Sequence, residues 1–383
     1  MKRAVMALSG GMDSTALLMR LLADGYHVDC LSYNYGQKHS VELERAQSNI
    51  QYLKSEDIKI EHRIIDLSSA MGLFESSLIL GGGDIPEGHY EAEQMKSTVV
   101  PNRNAIFASI LYGYALSVAT RESCKVEIAL GVHSGDHEIY PDCRPEFYHA
   151  IEHAFAIGNW ESENVSFTLP YLDGDKASIL ADAQKAITQL KLDFNRVFAN
   201  TNTSYNPDTE GRSSGESGAD IERILAFHSL GLADPVEYQT TWDEVLKNAL
   251  EVEMKHKDEE YRQRLTEEQY SVTRQSGTEL AFTGLYLDEK RGGDYFCICC
   301  GHLLFTSEMK FDSGCGWPSF HTEHPDAGIR HIEDLSRGRQ RIEVQCTKCD
   351  AHLGHIFEDG PQAFGGQRYC INSASLNFEE MEE

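Results

Sequence analysis

The feature that most narrows what this chain can become lies near its end. Two Cys-x-x-Cys pairs, Cys297/Cys300 and Cys346/Cys349, leave 45 residues between their inner cysteines. Each pair suits a tight knuckle presenting two thiolates to one ion, and two knuckles complete a tetrahedral four-sulfur site of the type zinc prefers. Such a site pins two distant segments together, so a small domain must fold between them. One zinc per chain is expected, held by Cys297, Cys300, Cys346 and Cys349. Four disulfide-bonded or simply buried cysteines are the competing reading. Met1–Leu8 reads as an apolar run entering a loop, not as a secretion signal, so the expected compartment is the cytoplasm, where thiols stay reduced. After Tyr270, short segments punctuated by Gly, Asp and Ser predict an all-β unit around the cysteines.

The rest of the chain follows a different pattern. At 383 residues it is too long for one comfortable core, so two domains are expected. Before residue 240, apolar runs and helical periodicities alternate. Strands are expected at Arg3–Leu8, His27–Tyr35, Lys59–Leu67 and Lys125–Val132, with helices at Ser14–Ala23, Val41–Leu53 and Asn104–Val118. That order predicts a Rossmann-like parallel sheet with helices on both faces. Gly81–His89 has the composition of a surface loop or lid, and Thr201–Gly218 that of a second irregular segment. Thr240 to about Arg264 is charged and helical in period, a connector between domains. The expected boundaries are 1–238, a connector at 239–257, and 258–383. A formal charge of −27 argues against direct nucleic-acid binding, and no apolar run is long enough for a membrane helix.

The first chemical constellation is Leu8-Ser9-Gly10-Gly11-Met12-Asp13-Ser14-Thr15, between the first strand and first helix. Small residues let backbone amides approach an anion, and the helix N-terminus adds partial positive charge. Ser9, Ser14 and Thr15 add hydroxyl donors, and Asp13 could hold Mg²⁺. A glycine turn with a helix cap is the plainer alternative. The full S-G-G-x-D-S run resembles the pyrophosphate loop of ATP pyrophosphatases. With Tyr35-Gly36-Gln37-Lys38-His39, Val41-Glu42-Leu43-Glu44, Val100-Pro101-Asn102-Arg103-Asn104, Tyr140-Pro141-Asp142-Cys143-Arg144 and Ser204-Tyr205-Asn206-Pro207, it is similar to the 7-cyano-7-deazaguanine synthase family over residues 1–238. The resemblance implies ATP with Mg²⁺ and a carboxy-deazaguanine substrate. Its carboxyl would be adenylated, attacked by ammonia to give an amide, and converted to a nitrile. Tyr35, Gln37, Arg103, His133, Asp136, Asp142 and Arg144 are the expected substrate-binding residues.

Two departures qualify that likeness. The family places four zinc-binding cysteines late in this domain, where this chain has Ser204, Ser214, Ser217 and Asp220. Hydroxyls do not replace thiolates at structural zinc, so hydrogen bonds are expected to hold the loop instead. His133 and His137 stand where the family has Asn and Tyr, either as loop histidines or as substrate contacts. Adenylation of another deazapurine, or of a carboxyl bound for a macromolecule, remains open. So does a nucleotide-binding regulatory module without chemistry.

The second constellation involves Cys315 and Cys370, which lie outside the pairs. An acidic surround suppresses thiolates, so a reactive cysteine needs local cations or donors. Arg368 and His352/His355 could supply them if the fold gathers them. His352-Leu353-Gly354-His355 could alternatively serve a metal. The runs Lys310–Phe320, His352–His355 and Gly366–Ser373, with Gly277-Thr278-Glu279 upstream, closely resemble methionine-(R)-sulfoxide reductase of the B type over about 258–383. The resemblance implies that Cys370 attacks the sulfoxide sulfur and becomes a sulfenic acid. Cys315 then closes a disulfide, which thioredoxin reduces. Trp317 would pack on the substrate methyl, unless it is a core residue. His352, His355 and Asn372 would handle the oxygen. Whether the substrate is free or protein-bound methionine sulfoxide, and whether the chain forms a homo-oligomer, stay open.

Overall fold

The computed structural model describes residues 2–38, 41–83, 97–133, 140–204, 207–338 and 340–381. Asp136, His137 and most of the expected loop at Gly81–His89 lie outside them. Two compact units result, Met1–Glu253 and Met254–Glu383. Among the described residues no helix is long and apolar enough to cross a membrane.

The first unit runs β1 (Lys2–Ala7), α1 (Met12–Ala23), β2 (Tyr26–Asn34), α2 (Val41–Ser55), β3 (Glu61–Asp66), α3 (Ser68–Met71), α4 (Arg103–Glu122), β4 (Val126–Ala129), α5 (Pro145–Gly158), β5 (Val165–Thr168), α6 (Lys176–Leu190), α7 (Phe194–Ala199) and α8 (Gly218–Ser229). Its strands form one parallel sheet in the order β3-β2-β1-β4-β5. Alternation along β1 explains the helices on both faces. Ala4 and Met6 face a core with α1, α6 and α8, while Val5 faces one with Leu111, Ala115 and Val118 of α4. The chain order reverses between β1 and β4, which opens a crevice at the carboxyl ends of the strands. β4 is shorter than expected because residues 130–132 leave the sheet to line that crevice, with Gly131 close against the backbone of Asp13.

Helix α9 (Trp242–Arg264) contains the division between the units, and its Val245 and Ala249 pack with Ile221 and Ile224 of α8. The second unit continues with α10 (Glu267–Arg274), β6 (Gly293–Cys297), β7 (Leu303–Thr306), β8 (Lys310–Phe311), β9 (Ser319–Phe320), β10 (Ile329–Asp334), β11 (Arg341–Cys346), β12 (His352–Phe357), β13 (Arg368–Ile371) and β14 (Leu376–Glu380). Its short opening helix runs past Tyr270 to Arg274, and its start is fixed by a reciprocal capping box between Thr266 and Gln269. The strands then make antiparallel sheets ordered β10-β11-β12-β13-β9-β8 and β14-β6-β7. Tyr295, Phe305 and Phe320 fill the core beside them, the last two stacked 4.2 Å apart.

Candidate active sites

In the first unit, the loop after β1 closes on itself through its own hydroxyls. Ser9 and Ser14 Oγ atoms lie 2.9 Å apart, and the Gly11 amide donates to Ser9 Oγ at 3.2 Å. Gly10 has φ +88°, and a Cβ there would collide with the Glu42 backbone carbonyl, so glycine is required for the loop to sit on α2. Leu8, Met12 and Thr15 are buried, so these members of the loop contribute backbone and packing rather than exposed side chains. The remaining residues open onto a cavity of about 260 Å³. Ser9, Gly11, Asp13 and Ser14 line one part, and Tyr35, Glu42, Arg103 and Asn104 another.

Asp13 is held by a cation the sequence reading missed. Lys176 Nζ, at the start of α6, donates to Asp13 Oδ2 at 3.1 Å and lies 3.1 Å from His133 Nε2. Burial pushes the Asp13 carboxyl up, but Lys176 and His133 outweigh it and hold it below its ordinary value. The structure thus brings His133, 3.8 Å from Asp13, to the loop after β1 rather than to the cavity wall beside Arg103. Nothing local marks Lys176, since it reads as an ordinary first-turn residue after the Asp175 cap.

The other expected substrate residues divide. Tyr35 and Arg103 line the cavity, with the guanidinium 6.0 Å from the Tyr35 ring centroid. Gln37 turns back onto backbone, accepting from Tyr35 N at 2.9 Å. Asp142 accepts from Asn104 N at 3.2 Å and so steadies the start of α4 that carries Arg103. Arg144 occupies the N-cap position of α5 without a side-chain cap bond, and Asp136 lies outside the described residues. Where the family's zinc cysteines would stand, Asp220 Oδ2 accepts from Ser204 at 3.0 Å and Ser217 at 2.8 Å, and Ser217 caps α8. Ser214 Oγ accepts from Glu216 N at 3.2 Å.

In the second unit, six of the sulfurs fall into two groups, a set of four and a pair. The Sγ atoms of Cys297, Cys300, Cys346 and Cys349 all lie within 4.8 Å of one another, and could hold a metal ion. The pairs Cys297–Cys349 and Cys300–Cys346 are 3.6 Å apart, close to the ~3.8 Å edge of a tetrahedron with 2.3 Å zinc–sulfur bonds. Both knuckles are built alike. The Gly301 and Asp350 amides donate to the carbonyls of Cys297 and Cys346, and both residues have positive φ. His352 and His355 belong to no such set among the described residues.

Cys370 instead sits mid-strand on β13, paired across with His355 on β12 and Ser319 on β9. Directly opposed residues share a face, so the histidine and the thiol project together. His352 joins them although it is three residues from His355, an odd spacing for a strand. Leu353 is an extra residue opposite the Val344–Gln345 step, and this bulge returns His352 to the same side. The imidazole centroids are 5.5 Å apart, with His352 Nδ1 2.5 Å from Glu343 and His355 Nε2 2.8 Å from Asp334. His352 Nε2 is buried and has no hydrogen-bond partner among the described residues. Burial lowers the His355 imidazole against the pull of Asp334.

Cys315 Sγ lies 3.6 Å from Cys370 Sγ and 3.4 Å from Ser319 Oγ. Burial, then Cys315, pushes the Cys370 thiol up to about 12, with Arg368 opposing. Burial also raises Cys315, but the Ser313 and Ser319 hydroxyls outweigh it and leave that thiol below its ordinary value. Arg368 is gripped by Asp359 through two hydrogen bonds of 2.7 and 2.9 Å. Glu279 ties the remaining expected residues together. Its amide donates to Asn372 Oδ1, its carbonyl accepts from Trp317 Nε1, and its carboxylate accepts from the Ser373 and Ala374 amides. Asn372 Nδ2 donates to Leu353 O, so both ends of its amide already serve the scaffold.

Comparison with known proteins falls into the same two parts. Residues 3–231 match the family described as queuosine biosynthesis protein QueC, and residues 265–380 match the SelR domain. The 7-cyano-7-deazaguanine synthase of Marinomonas sp. (strain MWYL1) is 43% identical over 238 residues, covering 62% of this chain and 99% of that protein. That of Methanoregula boonei is 41% identical over 237 residues, with the same coverage. The peptide methionine sulfoxide reductase MsrB of Hahella chejuensis is 58% identical over 125 residues, covering 33% of this chain and 89% of that protein. The chain therefore belongs to the QueC family of 7-cyano-7-deazaguanine synthases through its first unit, and to the SelR-domain methionine sulfoxide reductases through its second.

Proposed function

We propose that the first unit converts a carboxy-deazaguanine to its nitrile at the expense of ATP, and that the second returns methionine-(R)-sulfoxide to methionine with electrons from thioredoxin, both in the cytoplasm. The juxtaposition of Cys315 and Cys370 at 3.6 Å, apart from the four-sulfur cluster, carries the second half of this reading. The cavity joining the Ser9–Ser14 loop to Tyr35 and Arg103 supports the first. Boundaries near 238 and 258 for the two catalytic parts are consistent with the units described above.

In the first unit, the loop amides and the N-terminus of α1 bind the polyphosphate, and Lys176 offsets its charge. Asp13 is the residue that would hold Mg²⁺, which supplies neutralisation of the leaving pyrophosphate. Arg103 and Tyr35 hold the polar heterocycle. The substrate carboxylate attacks the α-phosphorus, and pyrophosphate leaves. AMP and pyrophosphate formed with carboxy-deazaguanine test this. AMP formation that ignores that acid but answers another would overturn it.

In the second unit, Cys370 attacks the sulfoxide sulfur while His352 or His355 delivers a proton to the oxygen. A second proton lets the S–O bond break with the oxygen leaving as water. Water then attacks Cys370 Sγ, the S–S bond breaks with its electron pair on the substrate sulfur, methionine leaves and Cys370 is left as a sulfenic acid. Cys315, favoured as a thiolate by Ser313 and Ser319, attacks that sulfur, water departs, and a disulfide forms. Thioredoxin then reduces it. Trp317, fixed by its bond to the Glu279 carbonyl, faces the substrate methyl. Zinc in the four-cysteine cluster is structural, since four thiolates leave it no open position. About one zinc per chain is expected by metal analysis, and two would contradict the hydrogen-bonded reading of Asp220.

A further inference from the structure

We propose that Glu42 is the group that receives the nitrogen-borne protons in the first unit's reaction, an inference that rests on the amidation and nitrile formation proposed above. Glu42 belongs to the first turn of α2, lines the cavity together with Ser9, Gly11 and Arg103, and its carboxyl feels the charge of Arg103. Its backbone carbonyl lies close against Gly10, so α2 begins directly beside the loop where the adenylate would form. Asp13 from α1, Tyr35 after β2, Arg103 from α4 and Tyr148 from α5 line the same cavity.

These neighbours are poorly suited to taking protons. Asp13 is already paired with Lys176, and Arg103 is a fixed cation. Burial, with help from Glu42, pushes the Tyr35 phenol up to about 12, so it keeps its own proton near neutrality. Burial also pushes Glu42 up to about 7 against the pull of Arg103, where a carboxyl both accepts and releases protons readily. The chemistry needs such a group more than once. Ammonia attacks the acyl adenylate, a C–N bond forms, and the C–O bond breaks with its electron pair on AMP. The cationic nitrogen gives one proton to Glu42, which releases it to water before the next step. The amide oxygen then attacks the α-phosphorus of a second ATP, pyrophosphate leaves, and the nitrogen lone pair forms C=N. Glu42 takes one N–H proton and passes it to water. It then takes the last, whose bonding pair becomes the third C–N bond as AMP departs.

The test uses the full chain with Glu42→Gln and Glu42→Asp, carboxy-deazaguanine, ATP and ammonium. Pyrophosphate, amide and nitrile are measured together across neutral pH. Wild type should show a rate limb rising through pH about 7. In the Gln variant, nitrile formed per pyrophosphate released should fall about 100-fold and the limb should vanish, while Asp retains part of the ratio. An unchanged ratio, or pyrophosphate release falling in step with nitrile, would overturn the assignment of Glu42. A wild-type chain that releases no pyrophosphate with this acid would instead sink the reading of the first unit, and the inference with it.

Discussion

At the scale of single residues, two cysteines 3.6 Å apart have opposite surroundings. The half-buried Cys370 thiol is raised by desolvation and by Cys315, whereas the also half-buried Cys315 is lowered by two serine hydroxyls. Iodoacetamide at neutral pH should therefore modify Cys315 before Cys370, as peptide mapping would read; the reverse order would refute this account of the pair. Turnover should separate them differently. Cys370→Ser should abolish methionine formation, while Cys315→Ser should give one methionine per chain and then stall with thioredoxin. Multiple turnover by the first variant would exclude Cys370 as the nucleophile. Glu42 adds a pH dependence. Its carboxyl rises from an ordinary 4.5 to about 7 on folding, so its contribution to stability is full below 4.5 and is lost as pH rises through about 7. Urea unfolding of Glu42→Gln should lose that decline across the window. Of these residues, Cys315 and Cys370 were legible because the motifs name them. Lys176 and Glu279 were not assigned a role, because their partners Asp13, Trp317 and Asn372 are distant in sequence.

At the scale of elements, the site residues depend on features that periodicity alone does not reveal. His352 and His355 would fall on opposite sides of a regular strand, and the extra Leu353 brings them together. Helix α8 starts where Ser217 caps it, and the same serine helps satisfy the buried Asp220 carboxylate. Farther along α8, Arg223 is fully enclosed. It meets Asp234 through two hydrogen bonds and also donates to Thr201, Thr203 and the Phe198 carbonyl. Removing one partner of such a pair strands a charge away from water, so Asp234→Ala should destabilise the first unit by about 3–5 kcal/mol in chemical unfolding. A cost below about 1 kcal/mol would mean that Arg223 finds water or another anion once Asp234 is gone.

At the scale of the whole molecule, two chemistries occupy two units, and the four-cysteine cluster belongs wholly to the second. Stripping its metal with a strong chelator should abolish sulfoxide reduction and leave ATP-dependent pyrophosphate release intact once Mg²⁺ is restored. Loss of both activities would show that the first unit also depends on the cluster. The sequence by itself determined the parallel-sheet and antiparallel-sheet architectures and the four-sulfur cluster, and it singled out the Ser9–Thr15 loop and the Cys315/Cys370 pair. Each is written in local spacing, hydropathic period or a contiguous motif. Only the tertiary structure decided that Lys176 restrains Asp13, that His133 meets them both, and that Glu279 holds Trp317 and Asn372. Those contacts join residues far apart along the chain, and their geometry exists only after packing has brought their backbones together.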